Sequence, residues 1–392
     1  MSTARRSAFA LKDKYAIVGI GNTDYTANSG RTVRALAIEA TANAIADAGL
    51  KPSDVDGLVS YNFNDSVPAI AVATGLGIPN AGYAVDFLAG GNAANLIVLS
   101  AVAAIEAGLA DVVVCYRAMN GRSGFRLGGG REFQALGPTQ YTAPFGWITY
   151  PQAMAMWCRR YMIEYGIKPE QLGEVAVTLR DNAVDNPRAM QRKPLTMDDY
   201  LSSRMIVDPF RLYDICLETD GACAVVVTSA ERAKDMKQKP VYIMGGAYGG
   251  GDQQGDDLFD CIRWADHSKN YSHFIADDLW RSAGVGPGDV DVAEIYDCFT
   301  YSIFMQLEGF GFCGLGEAGA YGEEGRIGRG ARTPVNTHGG LLSEGYIHGF
   351  NHVIEAVEQL RGQSGPRQVE GAEIALTTAG AMTCGSAMVL RR

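Results

Sequence analysis

The stretch that decides the fold occurs twice, as GLKPSDVDGLVSYN at residues 49–62 and as GVGPGDVDVAEIYD at residues 284–297. Six of the 14 positions are identical without a gap. Each copy follows an amphipathic segment, residues 32–48 or 271–283, and leads into a short apolar run. This order predicts a helix, a turn built on proline and glycine, and a strand in both places. The repeat therefore predicts two similar halves.

Other segments recur at matching positions in the two halves. Residues 14–20 and 239–245 each read as a buried strand that ends near glycine. A later helix followed by a strand also recurs, at residues 92–115 and 349–376. Strands that alternate with helices of this length favour parallel sheets covered by helices. The sequence thus predicts an α/β fold whose layers are duplicated.

Composition limits the possible classes of protein. A net charge of −10 argues against a nucleic-acid partner, because phosphate neutralisation requires clustered lysine and arginine. The eight cysteines include no Cys-x-x-Cys pair, so neither a disulfide framework nor a metal site is expected. No segment has the roughly 20 apolar residues that span a bilayer, and residues 1–14 lack the apolar core of a signal peptide. We predict a cytoplasmic protein with no membrane or nucleic-acid partner.

A long insertion interrupts the first half. We place the first half at residues 14–235, with a loop subdomain at about 119–205, and the second half at residues 236–392. The insertion begins with a glycine-rich segment, residues 121–131, and continues with helical spacing from residue 154 to residue 184. An excursion of this size predicts either a lid over the substrate or a brace for a dimer.

Two longer patterns resemble the thiolase superfamily, in its sterol-carrier-protein or lipid-transfer-protein branch. They are SRMIVDPF at residues 203–210, continuing to residue 227, and YPQAM at residues 150–154, continuing to residue 166. The resemblance covers nearly the whole chain. It implies a duplicated thiolase fold of two βαβαβαββ halves, arranged in five layers as αβαβα. It also implies a homodimer that pairs through edge strands.

One departure from the thiolases removes their nucleophile. A thiolase carries its acyl group on a cysteine at the N-terminus of the helix that corresponds to residues 92–107, where the helix favours a thiolate. In this chain Ala89 aligns with that cysteine, and Cys115 is predicted to lie within a strand. Without a sulfur at that position, thiolysis and Claisen condensation lose their first step.

Two further family positions change together. The resemblance places Tyr296 and Tyr346 where thiolases of this branch have histidines. We interpret the two tyrosines as an altered acid–base pair, with packing aromatics in an inactive site as the alternative. Asp297 and His348 are close in sequence and are candidates to tune the tyrosine pKa values.

A glycine-rich loop at residues 336–340 accompanies these tyrosines. Its glycines, Gly340 among them, let backbone amides approach a carbonyl oxygen, as an oxyanion hole requires. The family pattern suggests a pocket role for Asn336, with backbone capping as the alternative. His338 is a candidate substrate contact, although a structural hydrogen bonder is as common in such loops.

A reaction that needs acid–base groups and enolate stabilisation but no nucleophile is retro-aldol cleavage of a β-hydroxyacyl-CoA. The residues resemble the steroid side-chain-cleaving aldolases of the lipid-transfer-protein branch. That resemblance implies release of a ring ketone and a shortened acyl-CoA such as propionyl-CoA, with Tyr296 and Tyr346 as acid and base. Two alternatives stay open: an atypical thiolase or acyltransferase that uses Cys384 or Cys298, and a non-catalytic acyl-CoA or sterol binding protein.

The remaining predictions concern coenzyme A and partners. Coenzyme A enters as part of the substrate, so we expect no bound cofactor. Arg122, Arg126 and Arg131 are candidates to hold its phosphates, with a solvated loop as the alternative. The resemblance implies an OB-fold, zinc-ribbon partner that joins the homodimer in a heterotetramer. We expect the glycine-rich segment at residues 121–131 to order against that partner.

Overall fold

The computed structural model describes residues 10–124, 126, 139–251, 254 and 264–392. Its strands, numbered in chain order, are β1 (Tyr15–Asn22), β2 (Gly57–Asn62), β3 (Tyr83–Leu88), β4 (Val112–Asn120), β5 (Met205–Val207), β6 (Phe210–Arg211), β7 (Asp220–Ser229), β8 (Val241–Gly250), β9 (Val292–Glu294), β10 (Ile374–Ala379) and β11 (Cys384–Arg391). Its α-helices are α1 (Val33–Asp47), α2 (Ala69–Leu76), α3 (Ala94–Glu106), α4 (Thr139–Thr142), α5 (Tyr150–Tyr165), α6 (Pro169–Val184), α7 (Met197–Ser202), α8 (Ala230–Ala233), α9 (Ser272–Ala283), α10 (Thr300–Gly309), α11 (Ala318–Glu323), α12 (Gly340–Ser343) and α13 (Phe350–Arg361).

The two halves of the chain contribute equivalent strands in mirrored order along one sheet. Nine of the eleven described strands form one sheet in the order β3-β2-β4-β7-β1-β8-β11-β10-β9, and β5 pairs with β6 separately. Counted outward from the contact between β1 and β8, the first half runs β1, β7, β4, β2 and the second runs β8, β11, β10, β9. The directions of these eight strands also match, because β2 and β4 are parallel, as are β9 and β10, while the other neighbours among the four strands of each half are antiparallel.

The halves differ at their outer edges. In the first half β3 pairs in parallel with β2 along six residues. In the second half the equivalent position holds only an isolated parallel bridge between Ala293 and Val335. Asn336 follows this bridge directly. The loop with the candidate site residues therefore begins at the position that corresponds to the end of β3 in the first half.

Helices α3 and α13 lie between the two groups of strands. Both contact strands of the first half and strands of the second half, and 11 of the 12 residues of α13 are buried. On the outer sides, α1 packs against β1, β4 and β7, and α9 packs against β8 and β11. These contacts give five layers, in the order helix, strands of the first half, helix, strands of the second half, helix.

The repeated sequence makes the same hydrogen bonds in both halves. Asp54 and Asp289 accept a hydrogen bond from the backbone amide three residues earlier, at 2.8 Å in each case, which closes the turn after proline. Asp56 accepts from the amides that begin β4, and Asp291 accepts from those that begin β10. The identical aspartates are therefore retained because each half needs the same turn and the same anchored strand.

The insertion packs on the second half. It contributes α4 to α7 and the β5–β6 hairpin between β4 and β7. Asn182 on α6 donates to the carbonyls of Val335 and Asn336, at 3.0 and 3.1 Å. Helix α6 thus holds the start of the loop at residues 336–340 through these two hydrogen bonds. A cavity of about 480 Å³ opens beside α5, lined by Trp147, Trp157 and Met382 among others.

Among the described helices, none combines the length and apolar composition that crossing a bilayer demands.

Candidate active site

Two tyrosine hydroxyls meet between the halves. Tyr296 follows β9, Tyr346 lies between α12 and α13, and their Oη atoms are 2.9 Å apart. The backbone amide of Tyr296 donates to Thr378 Oγ1, and that of Tyr346 donates to Thr219 Oγ1. A threonine hydroxyl therefore anchors the backbone of each tyrosine. The structure therefore brings together the two residues that the sequence singled out.

Burial controls the ionisation of this pair. Loss of solvent raises the pKa of Tyr296 well above its ordinary value, and the neighbouring Tyr346 hydroxyl raises it further. Burial likewise raises the pKa of Tyr346, with additional contributions from Cys216 and Cys298. Both hydroxyls are consequently neutral hydrogen-bond donors at physiological pH.

The N-terminal end of α3 faces the hydroxyl of Tyr296. A 3₁₀ turn, Gly91–Ala93, precedes the helix, and a Cβ atom added to Gly91 would lie 1.9 Å from Tyr296 Oη. Ala89, which the sequence aligned with the thiolase cysteine, comes just after β3. The sequence did not single out Gly91. Glycine is needed there because a larger side chain would collide with Tyr296, which belongs to the other half.

Asp297 supports the loop rather than the hydroxyls. Its carboxylate accepts hydrogen bonds from the amides of Leu341 and Leu342, at 2.9 and 3.2 Å, at the start of α12. Gly340 has a φ of +64°, and a Cβ atom there would lie 2.0 Å from Asp297 Oδ2. Glycine is thus required both for the backbone conformation and for the close approach of the carboxylate.

Asn336 and His338 point away from the tyrosine hydroxyls. Both polar atoms of the Asn336 side chain bond the backbone of Ile295, at 2.6 and 2.8 Å, which matches the capping alternative. His338 is fully buried, with Nδ1 2.9 Å from Glu294 Oε2. Burial disfavours its charged form, but the carboxylates of Glu344 and Glu294 outweigh this effect and raise the pKa of His338 to about 9. His338 is therefore protonated at physiological pH and pairs with these two buried carboxylates.

Glu294, His338 and His352 form a buried cluster behind Tyr296. Their ligand atoms lie within 4.8 Å of one another, a spacing that a metal ion would fit. The same nitrogens face carboxylates, since His352 Nε2 lies 3.2 Å from Asp297 Oδ1 and His338 lies between two glutamates. The donor set suits charge pairing as well as metal ligation, and the absence of a metal stays a prediction.

His348 lies against the catalytic candidates. Its ring meets the Tyr346 ring edge to face, with centroids 4.9 Å apart, and its φ is +50°. The guanidinium of Arg117 lies within hydrogen-bond distance of His348 Nδ1, and Arg117 forms an ion pair with Asp65. Burial, reinforced by the Arg117 charge, lowers the pKa of His348 to about 3, so the ring is neutral at physiological pH.

The two candidate cysteines are buried near the site. Asn92 Nδ2 donates to Cys384 Sγ at 2.9 Å, which places this sulfur beside the turn before α3. Cys298 lies one residue after Asp297 and is 3 % exposed. The hydrogen bond from Asn92 places Cys384 near the N-terminus of α3, so Cys384 stays a candidate nucleophile.

The candidate arginines are already engaged. Arg122 and Arg126 both form ion pairs with Glu218, at 2.9 and 2.5 Å, and their side chains are more than 40 % exposed. Arg131 lies outside the described residues. A role for this group in binding phosphates stays a prediction, and any such role requires Glu218 to share or release its partners.

A third tyrosine, which the sequence did not single out, faces the same region. Tyr248 on β8 lies opposite Ser386 of β11, and paired residues of antiparallel strands point to the same face. Ser386 Oγ donates to the carbonyl of Asn92, so this face looks toward the start of α3. Tyr248 is 39 % exposed and thus open to a substrate. The only feature of the sequence that could have indicated Tyr248 is its position just after the predicted strand at residues 239–245.

Comparisons with known proteins agree with this architecture. Residues 275–392 match the family described as thiolase C-terminal domain-like. The chain is 43 % identical to 17-hydroxy-3-oxo-4-pregnene-20-carboxyl-CoA lyase of Mycobacterium tuberculosis, over 97 % of this chain and 100 % of the relative. It is 42 % identical to the steroid side-chain-cleaving aldolase of Thermomonospora curvata, over 89 % of this chain and 90 % of the relative.

Solved structures give the same result. The Ltp2-ChsH2(DUF35) aldolase superposes with a TM-score of 0.91 at 41 % identity, over 97 % of this chain and 98 % of that chain. A monomeric SCP2-thiolase-like protein of Mycobacterium smegmatis, 22 % identical, shares the fold, with a TM-score of 0.75 over 97 % of this chain and 78 % of that one. The predicted thiolase fold is confirmed. The chain belongs to the thiolase superfamily, in the group that contains the steroid side-chain-cleaving aldolases.

Proposed function

We propose that this protein is a carbon–carbon lyase that cleaves a β-hydroxyacyl-CoA on a steroid side chain by a retro-aldol reaction. The products are a ring ketone and a shortened acyl-CoA such as propionyl-CoA. The observation that carries the proposal is the contact of 2.9 Å between Tyr296 Oη and Tyr346 Oη. It lies at the helix terminus where a thiolase has its cysteine and this chain has none. Similarity to two carbon–carbon-bond-cleaving relatives supports the same reaction class.

The hydrogen-bonded pair can carry a proton without a free tyrosinate. The substrate hydroxyl gives its proton to one tyrosine oxygen as the carbon–carbon bond breaks and the ketone forms. That tyrosine passes its own proton to the second tyrosine, which delivers a proton to the α-carbon of the thioester enolate. Both residues begin and end neutral, as their raised pKa values require. The relay needs one acceptor and one donor, so the two tyrosines share the work of acid and base.

The start of α3 suits the charge that develops during cleavage. The N-cap residue of this helix, Ala93, makes no capping hydrogen bond through its side chain, and the adjoining Gly91 faces Tyr296 Oη. Helix N-termini favour negative charge, so a thioester enolate bound there is stabilised relative to the substrate. Asn336 does not serve this purpose in our proposal, because both of its amide atoms bind Ile295.

The test compares two substrates with one enzyme preparation. The protein is incubated with a steroid β-hydroxyacyl-CoA, and the ring ketone and shortened acyl-CoA are measured by liquid chromatography and mass spectrometry. A parallel reaction contains a 3-ketoacyl-CoA and free coenzyme A. We expect cleavage in the first reaction only. Thiolysis at rates of about 1 to 1,000 per second would overturn the proposal.

The contact between Asn92 and Cys384 favours one competing function, an atypical thiolase or acyltransferase. An acyl-enzyme on Cys384 or Cys298 would add the acyl mass to the intact protein, and the aldolase proposal expects no such adduct. A non-catalytic acyl-CoA or sterol binding protein would instead retain its ligand and release neither product.

The same proposal extends to assembly and compartment. We infer a homodimer that binds an OB-fold, zinc-ribbon protein in a heterotetramer, because a similar solved aldolase is named as a complex with a DUF35 protein. No cofactor is required beyond the coenzyme A of the substrate. All seven cysteines in the described part of the chain are free thiols, which fits the reducing cytoplasm.

A further inference from the structure

A buried ion pair lies behind His348, outside the tyrosine pair. Arg117 on β4 is fully buried, and its guanidinium pairs with Asp65, whose side chain is 3 % exposed. Nε and Nη2 of the same guanidinium lie 3.2 and 3.0 Å from His348 Nδ1. A guanidinium only donates hydrogen bonds, so Nδ1 must accept. The single proton of the neutral ring is therefore on Nε2.

The orientation of His348 is fixed from several sides. Tyr61 on β2 donates to its carbonyl oxygen at 2.9 Å, and the Tyr61 ring stacks on the imidazole. The φ of +50° is a conformation that few non-glycine residues adopt, and such backbone is held only where the surroundings determine it. The outcome of these constraints is an imidazole edge against the Tyr346 ring.

We propose that Arg117, held in place by Asp65, is a positioning residue that keeps His348 uncharged and correctly oriented beside Tyr346. The proposal rests on the retro-aldolase function only for its activity readout. A cationic imidazolium against Tyr346 would stabilise the tyrosinate and draw the pair away from the neutral state that the proton relay uses. Arg117 opposes that cation by its own charge and by occupying the Nδ1 lone pair.

In the described part of the chain, the titratable or charged groups that face His348 besides Arg117 are Asp65, Tyr61 and Tyr346. Asp65 follows β2, Tyr61 lies on β2, and Tyr346 lies two residues before His348. Burial is the first cause that lowers the pKa of His348, Arg117 is the second, and Asp65 opposes both. Removal of the Arg117 charge alone therefore exposes His348 to an unopposed carboxylate. Removal of both charges leaves burial in control.

This difference defines a matched pair of variants. In Arg117→Met the arginine is replaced by an unbranched apolar side chain, and we expect the pKa of His348 to rise into or above the ordinary histidine range. In Arg117→Met with Asp65→Asn we expect His348 to stay neutral, as in the parent protein. Nitrogen-15 NMR of histidine-labelled protein follows each ring, and His348→Asn assigns its signal among the five histidines.

The NMR measurement also tests the unsubstituted protein. His348 should show the Nε2-protonated neutral form throughout pH 5 to 8, a result that does not depend on whether the protein cleaves any substrate. Titration of His348 near pH 6.5 would overturn the proposal even if no variant folds. A neutral His348 in a protein without cleavage activity would instead overturn only the proposed function.

The activity readout separates charge from structure. In Arg117→Met we expect the cleavage rate to fall about tenfold for each pH unit below the new pKa of His348. This acidic limb should be absent from the parent protein and from the variant that also carries Asp65→Asn. Equal losses in both variants at every pH would assign Arg117 a purely structural role and overturn the proposal.

Discussion

At the scale of single residues, the decisive feature is that two tyrosines share one hydrogen bond. Their pKa values are raised because burial removes solvent from both hydroxyls. A lone buried tyrosine would be an ineffective base, but a pair can accept and donate in the same step. The proposed relay depends on the hydroxyl groups and not on the rings, which makes it testable by removal of a single oxygen.

We expect Tyr296→Phe and Tyr346→Phe to fold normally and each to lose cleavage activity on the order of 100-fold or more. Each substitution breaks the relay while it retains the ring that packs in the site. Steady-state cleavage of the steroid thioester measures the effect, with circular dichroism as the check on folding. Tyr248→Phe tests whether the third tyrosine contributes a hydroxyl.

Cys384→Ala is the matched control for this series, because it changes a buried group at the same helix terminus. We expect a much smaller loss than in either phenylalanine variant. Full activity in both phenylalanine variants would return the two tyrosines to a packing role.

His338 predicts a pH dependence of stability. Its pKa is raised from 6.5 to about 9 in the folded protein, so the folded state holds the proton more tightly than the unfolded chain. The contribution, about 3 kcal/mol, is fully present below pH 6.5 and is lost as the pH rises through about 9. Urea unfolding at pH 6, 7.5 and 9.5 should show a steeper loss in the parent protein than in His338→Gln. Parallel pH profiles would contradict the charged state of His338.

Residue types were easier to predict than side-chain directions. The sequence singled out Tyr296 and Tyr346 because both replace a family histidine. It could not show that Asn336 turns to the backbone of Ile295 or that His338 turns to Glu294, since both partners come from a different segment. A side chain's direction depends on such remote groups, and one sequence does not reveal them.

At the scale of elements, the repeated turn could be predicted because its causes are local. Proline and the capping aspartate act within a few residues, whereas the strand-anchoring aspartate binds a strand that begins 56 or 83 residues further along the chain. The reduction of the outer strand of the second half to a bridge at Val335 could not be predicted, because the edge pairing depends on the neighbouring loop. That reduction is what frees the loop at residues 336–340 to approach the site.

The start of α3 provides the next prediction. Gly91→Ala places a methyl group where Tyr296 Oη now lies, so we expect the hydroxyl to move away from Tyr346 and the cleavage rate to fall by at least about tenfold. The fold should persist, because the atoms that the added Cβ would meet, Oη, Cζ and Cε2 of Tyr296, all belong to one side chain. Gly330→Ala is the control, since a Cβ atom there meets nothing within 4 Å. Equal rates in the two variants would show that Gly91 does not position Tyr296.

At the scale of the whole molecule, the insertion presents an unusual surface. Several large apolar side chains of this region are more than 60 % exposed, namely Tyr141, Phe145, Met156 and Ile163. Exposed apolar groups that lie close together mark interaction sites more often than free surface. The glycine-rich segment at residues 121–131, which we predict to order against a partner, precedes this region, although most of it lies outside the described residues. The exposed apolar side chains favour a partner on the insertion.

We therefore expect the isolated chain to be less soluble or slower than the chain produced with an OB-fold, zinc-ribbon protein encoded beside it. Co-expression followed by size-exclusion chromatography and the cleavage assay tests this expectation. Phe145→Glu should weaken co-elution, because it replaces an apolar side chain that is 89 % exposed with a charge. Leu109→Glu, at a residue that is 56 % exposed after α3, should leave co-elution intact. If the isolated chain is as soluble and as fast as the co-expressed complex, the partner is not required.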